Sequence, residues 1–145
     1  MTVHELFPYL CVHNASEAIT YYQRAFGGVE QYRLTEPSGR IGHAEVKIGD
    51  FVVMLCEEFP ELGIRAPTPG ERVPVVLHLH VDNADEMIER AVSAGGSVVR
   101  PVQDQFFGER MGRVRDPFGH EWLIGHAIEK VSTAEMQRRY TALFQ

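Results

Sequence analysis

The sequence has little that would staple it, anchor it or charge it strongly. Its 145 residues include only two cysteines, Cys11 and Cys56, too few for a disulfide framework and spaced like no zinc motif. Both read as reduced thiols packed as small apolar side chains. No apolar run approaches the roughly 20 residues that cross a bilayer, and Met1-Thr2-Val3-His4-Glu5 has no basic region followed by an apolar one. A cytoplasmic protein without a membrane partner is expected. There is no Lys/Arg-rich block, and the formal net charge is -6, so nucleic acid is not an expected partner either. What is present, 44% hydrophobic and 23% charged residues, suits a chain that folds around a real core.

The most informative feature is self-similarity. Val12-His13-Asn14-Ala15-Ser16-Glu17-Ala18-Ile19 recurs as Val81-Asp82-Asn83-Ala84-Asp85-Glu86-Met87-Ile88, at an offset of 69 residues that also carries Gly27 onto Gly96. In each copy the residues ahead of the repeat read as a strand, 7–12 and 75–81. Asn14 and Asn83 suit helix N-caps, and Gly27-Gly28 and Gly95-Gly96 suit helix stops. Three strands follow each helix: 29–35, 42–48 and 51–56 in the first copy, 97–102, 111–115 and 121–125 in the second. Gly49-Asp50 fits a tight hairpin, and Asp116-Pro117-Phe118-Gly119 fits a turn closed by a glycine bulge.

The pattern is α+β: two β-α-β-β-β units forming a curved mixed sheet with a cup, helices on its outer face. Residues 1–145 are expected to form one domain: unit one about 5–57, a linker about 58–74, unit two about 75–127 and a C-terminal helix about 132–144. Strand side chains alternate between faces, so parity divides them. Ala44, Val46, Ile48, Phe51, Val53, Leu55, Leu77, Leu79, Val81, Val114, Trp122 and Ile124 fall toward the helices. Phe7, Tyr9, Cys11, His43, Glu45, Met54, Val76, His78, His80, Met111, Arg113 and Leu123 fall toward the cup.

Paired units with these turns resemble the vicinal-oxygen-chelate (glyoxalase and bleomycin-resistance) superfamily over nearly the whole chain. The run Asp104-Gln105-Phe106-Phe107-Gly108-Glu109-Arg110-Met111-Gly112, followed by Asp116-Pro117-Phe118-Gly119-His120-Glu121-Trp122, resembles the PhnB-like branch, with Phe107 and Met111 in place of that branch's usual aromatics. Metal-dependent members carry His or Glu at four places on the first and last strands of the two units. The resemblance places these at Phe7, Met54, Val76 and Leu123, none of which binds a divalent cation through oxygen or nitrogen. The repeat links the same four positions in pairs. The resemblance therefore implies no metal and no cofactor here.

A relocated metal site has weak support, because His78 and His80 on one strand stand about 7 Å apart, whereas zinc ligands converge to about 2.1 Å from the ion. His120 reads as a brace for its hairpin, and His4, His13 and His126 as solvated side chains. Arg110 and Arg115 read as a surface stripe, with Arg113 facing the cup as an anchor for an anionic or carbonyl group. The expected partner is an apolar or aromatic small molecule held by Phe7, Tyr9, Glu45, Met54, His78, His80, Phe106, Phe107, Met111, Arg113 and Leu123. As the resemblance implies, the leading function is metal-independent small-molecule binding of the bleomycin-resistance kind. The alternative is a lyase or isomerase acting on a carbonyl metabolite, with Glu45 or His80 as base. Unpaired sheet edges and the C-terminal helix favour a homodimer.

Overall fold

The computed structural model describes residues 1–145. In unit one, β1 (Tyr9–Cys11) leads to α1 (Ala15–Phe26) and then to β2 (Val29–Thr35), β3 (Ile41–Ile48) and β4 (Phe51–Cys56). Unit two repeats the order with β5 (Val76–His80), α2 (Ala84–Ser93), β6 (Ser97–Asp104), β7 (Glu109–Arg115) and β8 (Glu121–Ala127). The first and last strands of each unit pair in parallel, giving two four-stranded mixed sheets ordered β1-β4-β3-β2 and β5-β8-β7-β6. The α+β class and the two β-α-β-β-β units are as the repeat implies.

Local chemistry explains the boundaries. Asn14 and Asn83 accept from the amides of Glu17 and Glu86 at 3.1 and 3.2 Å, satisfying free donors of each first turn. Gly27 ends α1 in the left-handed region at φ 68°, a conformation that costs a side-chain-bearing residue more. The second helix differs: its cap, Ala94, stays right-handed, and the positive φ falls one residue later on Gly95. The Gly49-Asp50 hairpin sets Ile48 opposite Phe51. β1 is shorter than expected, starting at Tyr9 because Pro8 has no amide to donate, although its carbonyl still accepts from Met54 N at 2.9 Å. The linker holds a short 3-10 helix, Pro60–Leu62, and α3 (Thr133–Ala142) is capped by Ser132.

One apolar cluster joins both units. Ala44, Val46, Val53, Leu55, Val114, Trp122 and Ile124 are all buried, as parity assigns them, but Phe51 is 78% exposed. That residue begins its strand at the hairpin, beyond the reach of the helix. Trp122 of β8 packs on Tyr22 and Phe26 of α1 with ring centroids 5.4 and 4.8 Å apart, and its Nε1 donates to Asp116 at 2.9 Å. Asp116 also accepts from the Tyr22 hydroxyl and from the amides of Phe118 and His120, so this buried carboxylate is fully hydrogen-bonded. The Tyr21 hydroxyl donates to the Ala91 carbonyl, tying α1 to α2.

These contacts fix how the sheets face. α1 packs on β2 and β3, α2 packs on β6, β7 and β8, the two helices pack on each other, and Trp122 of β8 reaches α1, so the two covered faces share one interior. The opposite faces therefore point away from each other. Within one chain the cup exists as two half-faces.

Candidate functional site

The half-face of unit one is organised by a chain of hydrogen bonds. Tyr9, Met54 and Glu45 lie side by side on β1, β4 and β3. The Tyr9 hydroxyl meets His43 Nδ1 at 2.6 Å, His43 Nε2 meets Glu45 Oε2 at 3.0 Å, and the Tyr32 hydroxyl donates to the same oxygen at 2.9 Å. An ionised carboxylate only accepts, so His43 donates from Nε2, and its Nδ1 accepts a hydrogen bond from the Tyr9 hydroxyl. Hydrogen bonds from His43 and Tyr32 hold the Glu45 carboxyl below the usual carboxylate range. Tyr9 is 52% exposed, so the chain ends at solvent. Cys11 and Cys56, both free, are register partners on the same face, and burial followed by the neighbouring Cys56 thiol pushes Cys11 up to about 12. With Phe59 and Tyr9 they line a cavity of about 520 Å³.

The half-face of unit two is ionic. Across the sheet run Arg113, Leu123 and His78 in register. Exposed His78 has its ring 6.1 Å from that of His80, whose Nε2 meets both oxygens of Glu109 at 2.9 and 3.0 Å. Glu121, only 1% exposed, receives Arg72 at 2.7 and 3.0 Å and Arg113 and Arg115 at 3.3 Å. The Arg72 guanidinium foremost, with Arg115 and Arg113 beside it, holds the Glu121 carboxyl down at about 2.

The expected site residues are thus divided between two faces. Phe7, ahead of β1 and about one-third exposed, joins Leu6 and Leu77 around a groove of about 530 Å³ between the units. Met111 is buried, its side chain lying over Gly125. Phe106 stacks on Tyr140 of α3 at 5.7 Å and meets Phe107 edge-on, so this turn holds the C-terminal helix. Arg110 is no loose surface residue, since it bonds Asp85 and Asp104. Nor is His126 simply solvated: its Nδ1 accepts from the Ala84 amide. His120 braces its hairpin by donating to the Cys11 carbonyl.

Sequence reasoning missed Tyr32, Arg72 and Glu121 as members of the site. Tyr32 sits on a bulged edge strand, where parity slips, and Arg72 comes from the linker, where no periodicity exists. Glu121 was within reach, since it shares parity with Leu123. No three His, Cys, Asp or Glu side chains of one chain converge in a way that would hold a metal ion.

Residues 3–124 match the family model described as Glyoxalase/Bleomycin resistance protein/Dioxygenase superfamily. A Mycobacterium tuberculosis (strain ATCC 25618 / H37Rv) protein, Rv0887c, is 40% identical over 135 residues, covering 91% of this chain and 79% of that one. Among solved structures, protein PA1353 from Pseudomonas aeruginosa superimposes with a TM-score of 0.69 at 26% identity, covering 86% of this chain and 98% of its own. TioX from Micromonospora sp. ML1 does so with a TM-score of 0.64 at 25% identity, covering 89% and 100%. A PhnB protein from Bacillus cereus, 16% identical with a TM-score of 0.66, shares the fold. The family match, the mycobacterial relative and the paired β-α-β-β-β units agree that this chain belongs to the glyoxalase/bleomycin resistance protein/dioxygenase superfamily.

Proposed function

We propose that this protein binds an apolar or aromatic small molecule without a metal, in a cup that two copies build together. The observation that carries this is the orientation of the half-faces: each is open, chemically furnished and turned away from the other within one chain. A homodimer that sets unit one of one copy against unit two of the other closes two equivalent cups. Tyr9, Met54 and Glu45 then face His78, His80, Arg113 and Leu123 across the ligand. At the four places where metal-dependent relatives carry ligands stand Phe7, Met54, Val76 and Leu123, which offer apolar contact instead. Residues 1–145 act in this reading as one cytoplasmic binding domain.

A second reading keeps a specific observation of its own. The His80-Glu109 pair has the geometry of a base and its orienting carboxylate, which suits a lyase or isomerase acting on a carbonyl compound. Glu45 is less suited to that role, since a carboxylate held below its usual range is a weaker base. Substitution separates the two readings. For a binder, His80→Gln and Glu45→Gln shift ligand affinity modestly and there is no turnover to lose. For an enzyme, one of them leaves binding intact and lowers the rate by about 100-fold or more. Sedimentation equilibrium at micromolar concentration checks the assembly, and a monomer there contradicts the shared cup.

A further inference from the structure

The half-face of unit two gathers its arginines around a single buried carboxylate, in a chain whose net charge is -6. Arg72, Arg113 and Arg115 all converge on Glu121, three cations against one anion. The four bonds to Glu121 use the lone-pair sites of its two oxygens. Even so, the Nε groups of Arg113 and Arg115 are buried without an acceptor. Arg100 stands directly across from Arg113 on β6, is exposed, and has no carboxylate in ion-pair range. Three other acids lie at or beside this face, and the first of them, Glu109, is engaged by His80. Glu71 lines an adjoining hollow beside Arg115, and Asp116 in the same hollow is already taken up by Tyr22, Trp122 and two amides.

Gathered guanidiniums repel one another, most strongly where burial limits screening, and an incoming anion relieves that repulsion. Guanidinium also suits oxyanions geometrically, because its planar donors match two oxygens at once. We infer that the half-face of unit two recognises an oxyanion on the ligand, a carboxylate or a phosphate-type group, through Arg113 and Arg100. Glu121 and Arg72 are positioning residues that hold Arg113 in place. This deepens the binding proposal and rests on it: the aromatic body of the ligand lies toward Tyr9 of one copy and its anionic head toward Arg113 of the other.

The test uses the full chain, with benzoate, phenylphosphonate, inorganic phosphate and the neutral benzamide as probes at constant ionic strength. Thermal shift and titration calorimetry compare the natural protein with Arg100→Gln and Arg113→Gln. Arg100→Gln breaks no ion pair and keeps the fold, which circular dichroism verifies. The expected result is that at least one anion binds and raises the Tm more than benzamide does, and that each variant weakens that anion about tenfold or more while benzamide is unaffected. Benzoate or phenylphosphonate as the tighter probe distinguishes a carboxylate from a phosphate-type head. If benzamide binds as well as the anions, before and after Arg100→Gln, the oxyanion inference is overturned and the binding proposal stands. If none of the four probes binds, both fall.

Discussion

The two units share a backbone plan and use it differently. Unit one concentrates its aromatic mass under the sheet, where α1 buries seven residues including Tyr21, Tyr22 and Phe26, whereas α2 buries only Ala84, Ile88 and Ala91. Unit two answers with Trp122, which reaches across to α1, so the core of each half is completed by the other. The open faces diverge as well. Unit one presents Tyr9, His43, Glu45 and Tyr32 in one hydrogen-bonded chain, and unit two presents arginines around Glu121. Caps, hairpins and pairing order stay common to both, while the free faces differ. A site made from one face of each kind has two unlike walls.

The largest expected effect tests the shared core. Trp122→Ala removes a side chain that is 1% exposed and packs on both α1 aromatics, and it leaves Asp116 short of a donor. The loss should be about 3 to 5 kcal/mol in denaturant unfolding, with one transition rather than two. Two separate transitions would show that the units are less interdependent than their contacts indicate.

Next in size is Glu121→Gln, which leaves three arginines without their counter-charge and should cost about 2 to 3 kcal/mol at neutral pH. The pH dependence has a definite sign. The folded pKa of Glu121 is depressed to about 2, so its contribution is present above the ordinary carboxylate value near 4.5 and disappears as pH falls toward 2. Denaturation midpoints measured across that window should fall less steeply in the variant than in the natural protein. Equal slopes would mean that other carboxylates govern acid unfolding.

The smallest effect sharpens the comparison at its most symmetrical point. Asn14→Ala and Asn83→Ala each remove one cap bond, and each should cost about 1 kcal/mol by urea denaturation. Near-equal losses would show that the caps serve their units alike. A markedly larger loss at Asn14 would show that the more deeply buried helix depends more on its first turn.

The sequence by itself determined the duplication, the helix caps, the hairpins and most of the buried set, because these rest on local chemistry or on a period of two or 3.6 residues. Asn14 and Asn83, Gly49-Asp50, and Val46 with Trp122 all appear where pattern puts them. Three kinds of information lay outside it. Pairing limits depend on which amides find partners, so β1 begins after Pro8. Polar neighbours come from non-adjacent or irregular segments, so Arg72 could not be placed beside Glu121, and Tyr32 could not be joined to Glu45 across a bulge. The mutual orientation of the units was the largest omission, since a repeat states that two halves are alike but not which faces meet. Tertiary packing of Trp122 against Tyr22 and Phe26 decided that: burying the apolar faces of both helices in one core removes apolar surface from water and leaves the opposite faces of the sheets open.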